Sequence, residues 1–127
     1  GQPVPESVGE VMRCIYESLA MKYRQTLDNL EACTGKSYPA IHVIGGGTKD
    51  TLLCQMTASS CARNVVAGPI EATVLGNIAV QLLSCGAIES IEQARKIVKA
   101  SENTVEYSPE NADAWAEAYE RFKAVTK

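Results

Sequence analysis

Three consecutive glycines after a short apolar strand constrain the fold of this chain more than any other stretch. The strand is predicted at Ile41–Ile44, and Gly45, Gly46 and Gly47 follow it directly. Glycine adopts backbone angles that a Cβ atom forbids, and it lets a ligand come within contact distance of the main chain. The helix predicted from Asp50 would direct its unpaired N–H groups and its positive dipole end at the same place, which suits a phosphate. The stretch therefore predicts a nucleotide site, although a tight turn without a ligand would give the same sequence.

Caps and apolar spacing predict a helix-rich α/β unit around this turn. Ser7 and Glu10 form a capping box before a long amphipathic helix, and Gly35 is placed to end that helix. Ile41–Ile44 is β-branched and apolar, so we expect a central strand of a covered sheet. The other predicted elements, in chain order, are a helix to about Cys61, a strand at Val65–Ala67, helices at about Glu71–Cys85 and Ser90–Ala100, an extended segment at Thr104–Ser108 and a helix at Ala112–Val125.

The same spacing predicts which side chains each helix buries. For the first helix the apolar stripe is Val8, Val11, Met12, Ile15, Leu19, Tyr23, Leu27 and Leu30. The second helix has Leu52, Leu53, Met56 and Cys61 as its candidates, and the last has Trp115, Ala118, Tyr119 and Phe122. In the third helix, Ala72, Gly76 and Ala79 form a stripe of small residues that permits a close backbone approach, against the glycine turn or its ligand.

Length and composition restrict the class of protein. A chain of 127 residues predicts a single unit, 1–127, that is large enough for a core. The net charge of −3 argues against nucleic acid as the main partner. Apolar runs are too short for a membrane span, and the N-terminus lacks signal-peptide character. The five cysteines are scattered without a C-x-x-C pair, which indicates free thiols in a reducing compartment and predicts a cytoplasmic location.

Two common nucleotide motifs fail on this sequence. Gly35-Lys36-Ser37 resembles the end of a phosphate-binding P-loop, but Leu30 occupies the position of the first glycine, and the segment precedes the strand. A dinucleotide-binding G-x-G-x-x-G motif that starts at Gly45 would require glycine where Asp50 stands. A dehydrogenase of that type is therefore disfavoured.

Several runs together resemble the C-terminal lobe of FGGY-type carbohydrate kinases, and within that family they look most like the rhamnulokinase group. The resemblance extends over nearly the whole chain, and the stretch at 66–77 is its most specific part. The runs that carry it are Arg13–Ala20, His42–Gly47, Leu52–Gln55, the Ala-Gly-Pro-x-Glu-Ala-Thr-x-x-Gly-Asn sequence of Ala67–Asn77, Ala94–Val98 and Trp115–Phe122.

The resemblance implies the actin-like, ribonuclease H-like ATPase fold, with the glycine turn as the part that meets the adenosine and α-phosphate of ATP. Gly45, Gly46 and Gly47 would line the nucleotide. Asp50 stands where the family usually has Asn near the nucleotide, so it keeps a capping oxygen but adds a negative charge. Glu71 and Gly76 would support the site by packing.

The resemblance also implies what this segment lacks. The sugar-binding N-terminal lobe and the catalytic Asp that takes the sugar hydroxyl proton lie upstream in the family, and Mg²⁺ would be held mainly by the nucleotide and that upstream part. We therefore expect an ATP-binding segment of a kinase that phosphorylates L-rhamnulose, and we expect it to be inactive alone. The alternatives are another FGGY sugar kinase, similar to xylulokinase or glycerol kinase, or a stand-alone module that binds nucleotide.

Overall fold

The computed structural model describes residues 3–126 as a three-stranded sheet with helices on both faces. A 3-10 helix at Gly45–Lys49 connects the first strand to the second α-helix. The elements in chain order are α1 Val8–Thr34, β1 Ala40–Val43, α2 Thr51–Cys61, β2 Asn64–Ala67, α3 Ala72–Ser84, α4 Ile91–Ser101, β3 Val105–Tyr107 and α5 Ala112–Val125.

The predicted helix ends are confirmed where a cap marks them. The Ser7 hydroxyl accepts a hydrogen bond from the Glu10 N–H, and the Glu10 carboxylate accepts one from the Ser7 N–H. Gly35 adopts a φ of 65° and ends α1. The Asp50 carboxylate caps α2 by accepting the Leu53 N–H at 3.0 Å. These contacts satisfy N–H groups that a helix start leaves without an internal partner.

β2, not β1, is the central strand. β1 pairs with β2 in parallel, with Ile41 opposite Val65, and β3 pairs with the other edge of β2 in antiparallel orientation. The expectation of a central β1 is wrong within the described residues, because its second edge is unpaired there. An apolar sequence predicts cover on both faces of a strand but does not reveal its position in the sheet.

The core lies between α2 and one face of the sheet. Cys54 and Ala58 of α2 pack with Val65 and Ala67 of β2, and Ile41, Val43 and Tyr107 complete the cluster. α1 and α5 lie against α2, where Tyr119 is buried and donates its hydroxyl to Asp28 at 2.9 Å. Leu52, predicted to be buried, is 51% exposed because the first turn of α2 lies at the surface.

The apolar stripe predicted for α1 is largely exposed, which corrects the burial prediction. Ile15 is 46% and Leu30 is 46% exposed, whereas Ala20, outside the stripe, is completely buried. The side of α1 toward α2 instead carries Tyr16, which donates to the N-cap residue Asp50, the completely buried Ala20, and Arg24, which donates to the Ser60 carbonyl oxygen. Tyr23, Leu27 and Leu30 border an apolar groove against β1 and α2, and the rest of the stripe has little cover in residues 3–126.

α3, on the other side of the sheet, also exposes apolar residues that the sequence pattern would bury. It is the most apolar helix, yet none of its residues is buried, and Val80 is 59% exposed. A cleft of about 860 Å³ separates the α3–α4 pair from the sheet. A Cβ atom added to Gly76 would meet nothing within 4 Å, so the close approach predicted for the small-residue stripe is not made.

In the described part of the chain, no helix is long and apolar enough to cross a membrane.

We predict that Gly68→Ala lowers the free energy of unfolding by about 2 kcal/mol or more. Gly68 has a φ of 126°, and an added Cβ would lie 3.1 Å from the Asn103 carbonyl oxygen. Gly46→Ala is the matched control, because Gly46 has open space and no left-handed φ. Urea denaturation of both variants measures the difference, and equal midpoints would contradict the prediction.

We also predict two classes of thiol. Cys14, Cys33 and Cys85 are exposed, whereas Cys54 and Cys61 are buried. Burial raises the pKa of Cys61 to about 11 and also raises the pKa of Cys54. Since the thiolate is the reactive form, both should be nearly inert at pH 8. Labelling with a chromogenic disulfide should give three fast thiols in the folded chain and the remaining two only in denaturant; five fast thiols would refute the packing of α2.

Candidate functional site

The glycine turn is held in place by main-chain hydrogen bonds to the loop after β2. The Gly68 N–H donates to the Val43 carbonyl oxygen at 2.9 Å, and the Gly45 N–H donates to the Pro69 carbonyl oxygen at 3.2 Å. Gly45 has a φ of 77°, which allows the chain to leave β1 and enter the 3-10 helix at once. These bonds join the C-terminal ends of β1 and β2, and they fix the position of the turn at that edge of the sheet.

Inside the turn, short-range contacts close the 3-10 helix. The Thr48 hydroxyl donates to the Gly45 carbonyl oxygen at 2.7 Å, and the Asp50 N–H donates to the Gly47 carbonyl oxygen at 3.2 Å. Gly46 and Gly47 remain exposed, and a Cβ at Gly46 would meet nothing within 4 Å. The main chain at Gly46 is therefore open to a ligand.

The predicted site residues do not all face the same space. Gly46 and Asp50 line a shallow depression of about 430 Å³, which Tyr16, Lys49, Thr51 and Leu52 complete. Gly47 lines a separate apolar groove of about 400 Å³ between α1, β1 and α2. Gly76 lines neither of these, since it borders the large cleft beside α3. The structure thus brings Gly46 and Asp50 together and leaves Gly76 apart from them.

The start of α2 does not offer the phosphate site that the sequence suggested. The Asp50 carboxylate occupies the Leu53 N–H, so one donor of the first helical turn is already satisfied. The same carboxylate places negative charge where a phosphate would lie, and like charges repel. A phosphate directly beside Asp50 at this helix start is therefore disfavoured, whereas Lys49 supplies a positive charge elsewhere in the depression.

Tyr16 is a residue of this depression that sequence reasoning did not single out. Its hydroxyl donates to Asp50 Oδ2 at 2.5 Å, across 34 positions of sequence. The hydrogen bond to that carboxylate, with burial and the negative charge, raises the pKa of Tyr16. No local pattern in the sequence marks Tyr16 for this contact, because its partner lies 34 positions away.

Glu71 and the acidic residues supply no metal centre here. Glu71 precedes α3 without a side-chain hydrogen bond to that helix. Among residues 3–126, no three His, Cys, Asp or Glu side chains gather as ligands for a metal ion.

Comparison with known proteins identifies the family. Residues 1–85 match the C-terminal domain of the FGGY family of carbohydrate kinases. Over 97% of its length the chain is 44% identical to a rhamnulokinase of Bacteroides thetaiotaomicron. Over 86% it is 42% identical to a rhamnulokinase of Klebsiella pneumoniae. It spans about a quarter of these relatives, 25% and 22% of their lengths.

Solved structures support the same fold. A xylulose kinase from Rhodospirillum rubrum superposes with a TM-score of 0.73 over 98% of this chain and 25% of its own, at 20% identity. A "xyloylose kinase" from Brucella ovis gives a TM-score of 0.76 over 99% and 26%, also at 20% identity. The predicted helix-rich α/β, ribonuclease H-like fold is confirmed. The chain belongs to the FGGY family of carbohydrate kinases, and it carries sequence of that family's C-terminal domain.

Proposed function

We propose that this chain is the nucleotide-binding C-terminal segment of an ATP-dependent kinase that phosphorylates L-rhamnulose. Gly46 lines the nucleotide and Asp50 contacts it beside Gly46, while Gly45 and Gly47 shape the turn that presents Gly46. The sugar and the catalytic base belong to the remainder of the polypeptide, and residues 1–127 form one unit of it.

The accessibility of the glycine turn supports the nucleotide assignment. The two strand-end hydrogen bonds fix the turn, while Gly46 stays free of neighbours within 4 Å of a Cβ position. A fixed and open main chain can bind without losing conformational freedom. No other stretch of the described chain combines a left-handed glycine after a strand with an exposed glycine beside a surface depression.

The identity to rhamnulokinases carries the substrate assignment. At 44% over 97% of the chain, it exceeds the 20% shared with the xylulose kinase structure, which supports the fold alone. Specificity for another sugar of the xylulokinase or glycerol kinase type is the alternative within the family. A stand-alone nucleotide-binding module is the alternative outside it.

The exposed apolar surface supports the proposal that this chain acts as part of a longer kinase. Most of the α1 stripe and most of α3 are exposed, and β1 has a free edge in residues 3–126. Phosphoryl transfer depends on groups that converge on the γ-phosphate from several directions. A segment that holds only the adenosine side cannot align the sugar hydroxyl, so we expect no turnover by it alone.

The residues present do not fit a resident Mg²⁺ site. Asp50 is the one carboxylate that borders the depression, and no group of three His, Cys, Asp or Glu ligands exists in the described range. Mg²⁺ prefers carboxylate, phosphate and water oxygens. We therefore assign Mg²⁺ to the nucleotide phosphates and the rest of the kinase.

The complete polypeptide that contains this segment should release ADP from ATP with L-rhamnulose. D-xylulose, L-fuculose, L-ribulose and glycerol should be poorer substrates by at least tenfold in kcat/KM, roughly 1.4 kcal/mol of transition-state discrimination. A coupled ADP assay measures the panel. Preference for another sugar would overturn the substrate but not the fold, and no turnover of any sugar by folded protein would favour the binding module.

Gly46→Leu should weaken ADP binding by more than tenfold, because the new side chain fills the depression where the ligand meets the main chain. Gly9→Leu is the control, since Gly9 also has open space but lies in the first turn of α1. Calorimetry on the complete polypeptide measures both affinities. Equal ADP affinity in the two variants would place the nucleotide elsewhere.

The 127-residue chain alone should bind an apolar dye and self-associate, since its exposed apolar faces exceed what a soluble monomer usually shows. Ile15→Glu with Leu19→Glu should reduce both effects. Asn29→Glu with Asn103→Glu adds the same charge at exposed polar positions outside the stripe and should change neither. Dye fluorescence and sedimentation provide the measurements, and a monomer without dye binding would contradict the role of the stripe.

A further inference from the structure

Tyr16 lies outside the glycine turn but contacts Asp50, a residue of the candidate site. Tyr16 is half-buried on α1, and its hydroxyl donates to Asp50 Oδ2 at 2.5 Å. Asp50 Oδ1 accepts the Leu53 N–H at 3.0 Å. Each carboxylate oxygen therefore holds one donor, and the group is fixed between α1 and the first turn of α2.

A carboxylate held in this way still has acceptor capacity. An ionised Asp has about four lone-pair sites, of which these two hydrogen bonds use two. Asp50 is half-buried and lines the same depression as Gly46, so a ligand there can reach it. Whereas an Asn side chain both donates and accepts, an ionised carboxylate only accepts. A ligand group that meets Asp50 must therefore be a hydrogen-bond donor.

Because Asp50 only accepts hydrogen bonds, it can bind some parts of a nucleotide and not others. Phosphate oxygens are acceptors and negatively charged, so the carboxylate disfavours them. The donors of adenosine are the 6-amino group of the base and the ribose hydroxyls. The neutral side of the nucleotide consequently meets the Asp50 carboxylate, and a phosphate attracted by Lys49, which also borders the depression, lies away from that carboxylate.

We propose that Tyr16 is a positioning residue of the nucleotide site, which holds the Asp50 carboxylate as an acceptor for a hydrogen-bond donor of the nucleoside. The donor is the adenine amino group or a ribose hydroxyl, which share this chemistry. The inference rests on the proposed nucleotide site, and it adds that the site selects for a hydrogen-bond donor on the nucleoside. Tyr16 acts through Asp50 and does not itself need to touch the ligand.

The test measures the dissociation constants of three nucleotides with the complete polypeptide. ADP is compared with purine riboside diphosphate, which lacks the amino group, and with 2′,3′-dideoxy-ADP, which lacks the ribose hydroxyls. The unsubstituted protein should bind one of these analogues about tenfold more weakly than ADP, and the identity of that analogue reveals the donor. Tyr16→Phe should reduce this ratio at least threefold, whereas Tyr23→Phe, at an exposed tyrosine of the same helix, should leave it unchanged.

A second comparison separates positioning from a structural role. Asp50→Ser keeps a capping oxygen for α2 but removes the oxygen that Tyr16 contacts. If Tyr16 acts through Asp50, Tyr16→Phe should have no further effect on the ratio in the Asp50→Ser protein. A residue that only stabilises the fold would weaken all three nucleotides equally and leave the ratio constant.

The outcomes separate this inference from the proposed function. No binding of ADP by the unsubstituted protein overturns the nucleotide site and this role with it. Binding of ADP with a ratio that Tyr16→Phe does not change, or changes equally in the Asp50→Ser protein, overturns the role of Tyr16 alone.

Discussion

The rest of the site depends on the pair of main-chain hydrogen bonds that joins the two strand ends. Gly68 donates to Val43 and Gly45 donates to Pro69, and both donors are glycines with positive φ. These bonds extend the parallel pairing of β1 and β2 beyond the strands themselves. They set the exit direction of the chain into the 3-10 helix, and so they place Asp50 and the start of α2. Side chains at either glycine would disturb the turn without touching the depression that it borders.

Local chemistry predicted the elements well because caps and glycines act on their own neighbours. Ser7, Gly35 and Asp50 all do in the structure what their positions suggested. Burial was predicted poorly for α1 and α3, because apolar spacing identifies a face that needs cover but not the surface that supplies it. α1 contacts α2 through small and polar residues such as Ala20 and Arg24, which a search for apolar spacing passes over.

The candidate site also contains residues that the sequence could reveal and residues that it could not. The glycines and the Asp50 cap could be found from consecutive residues, and family resemblance then connected them to a nucleotide. Tyr16 could not be found, since its partner is 34 positions away and no local pattern reports a contact of that range. The edge position of β1 was missed for a related reason, because strand order is a property of the assembled sheet. Contacts between segments that are distant in sequence, and the order of strands in the sheet, could therefore not be predicted from local sequence patterns.

Three polar contacts along α1 have a mechanical consequence. Tyr16 binds Asp50, Arg24 donates to the Ser60 carbonyl oxygen at 3.1 Å, and Glu31 pairs with Arg63 at 3.5 Å. Such directional bonds permit only one register between α1 and α2, because sliding by a single turn would break them together. α1 is therefore tied to α2 and its flanking residues at three points, the first of them beside the glycine turn. A small tilt at Asp50 would be carried to the far end of α1, about 27 Å from Tyr16.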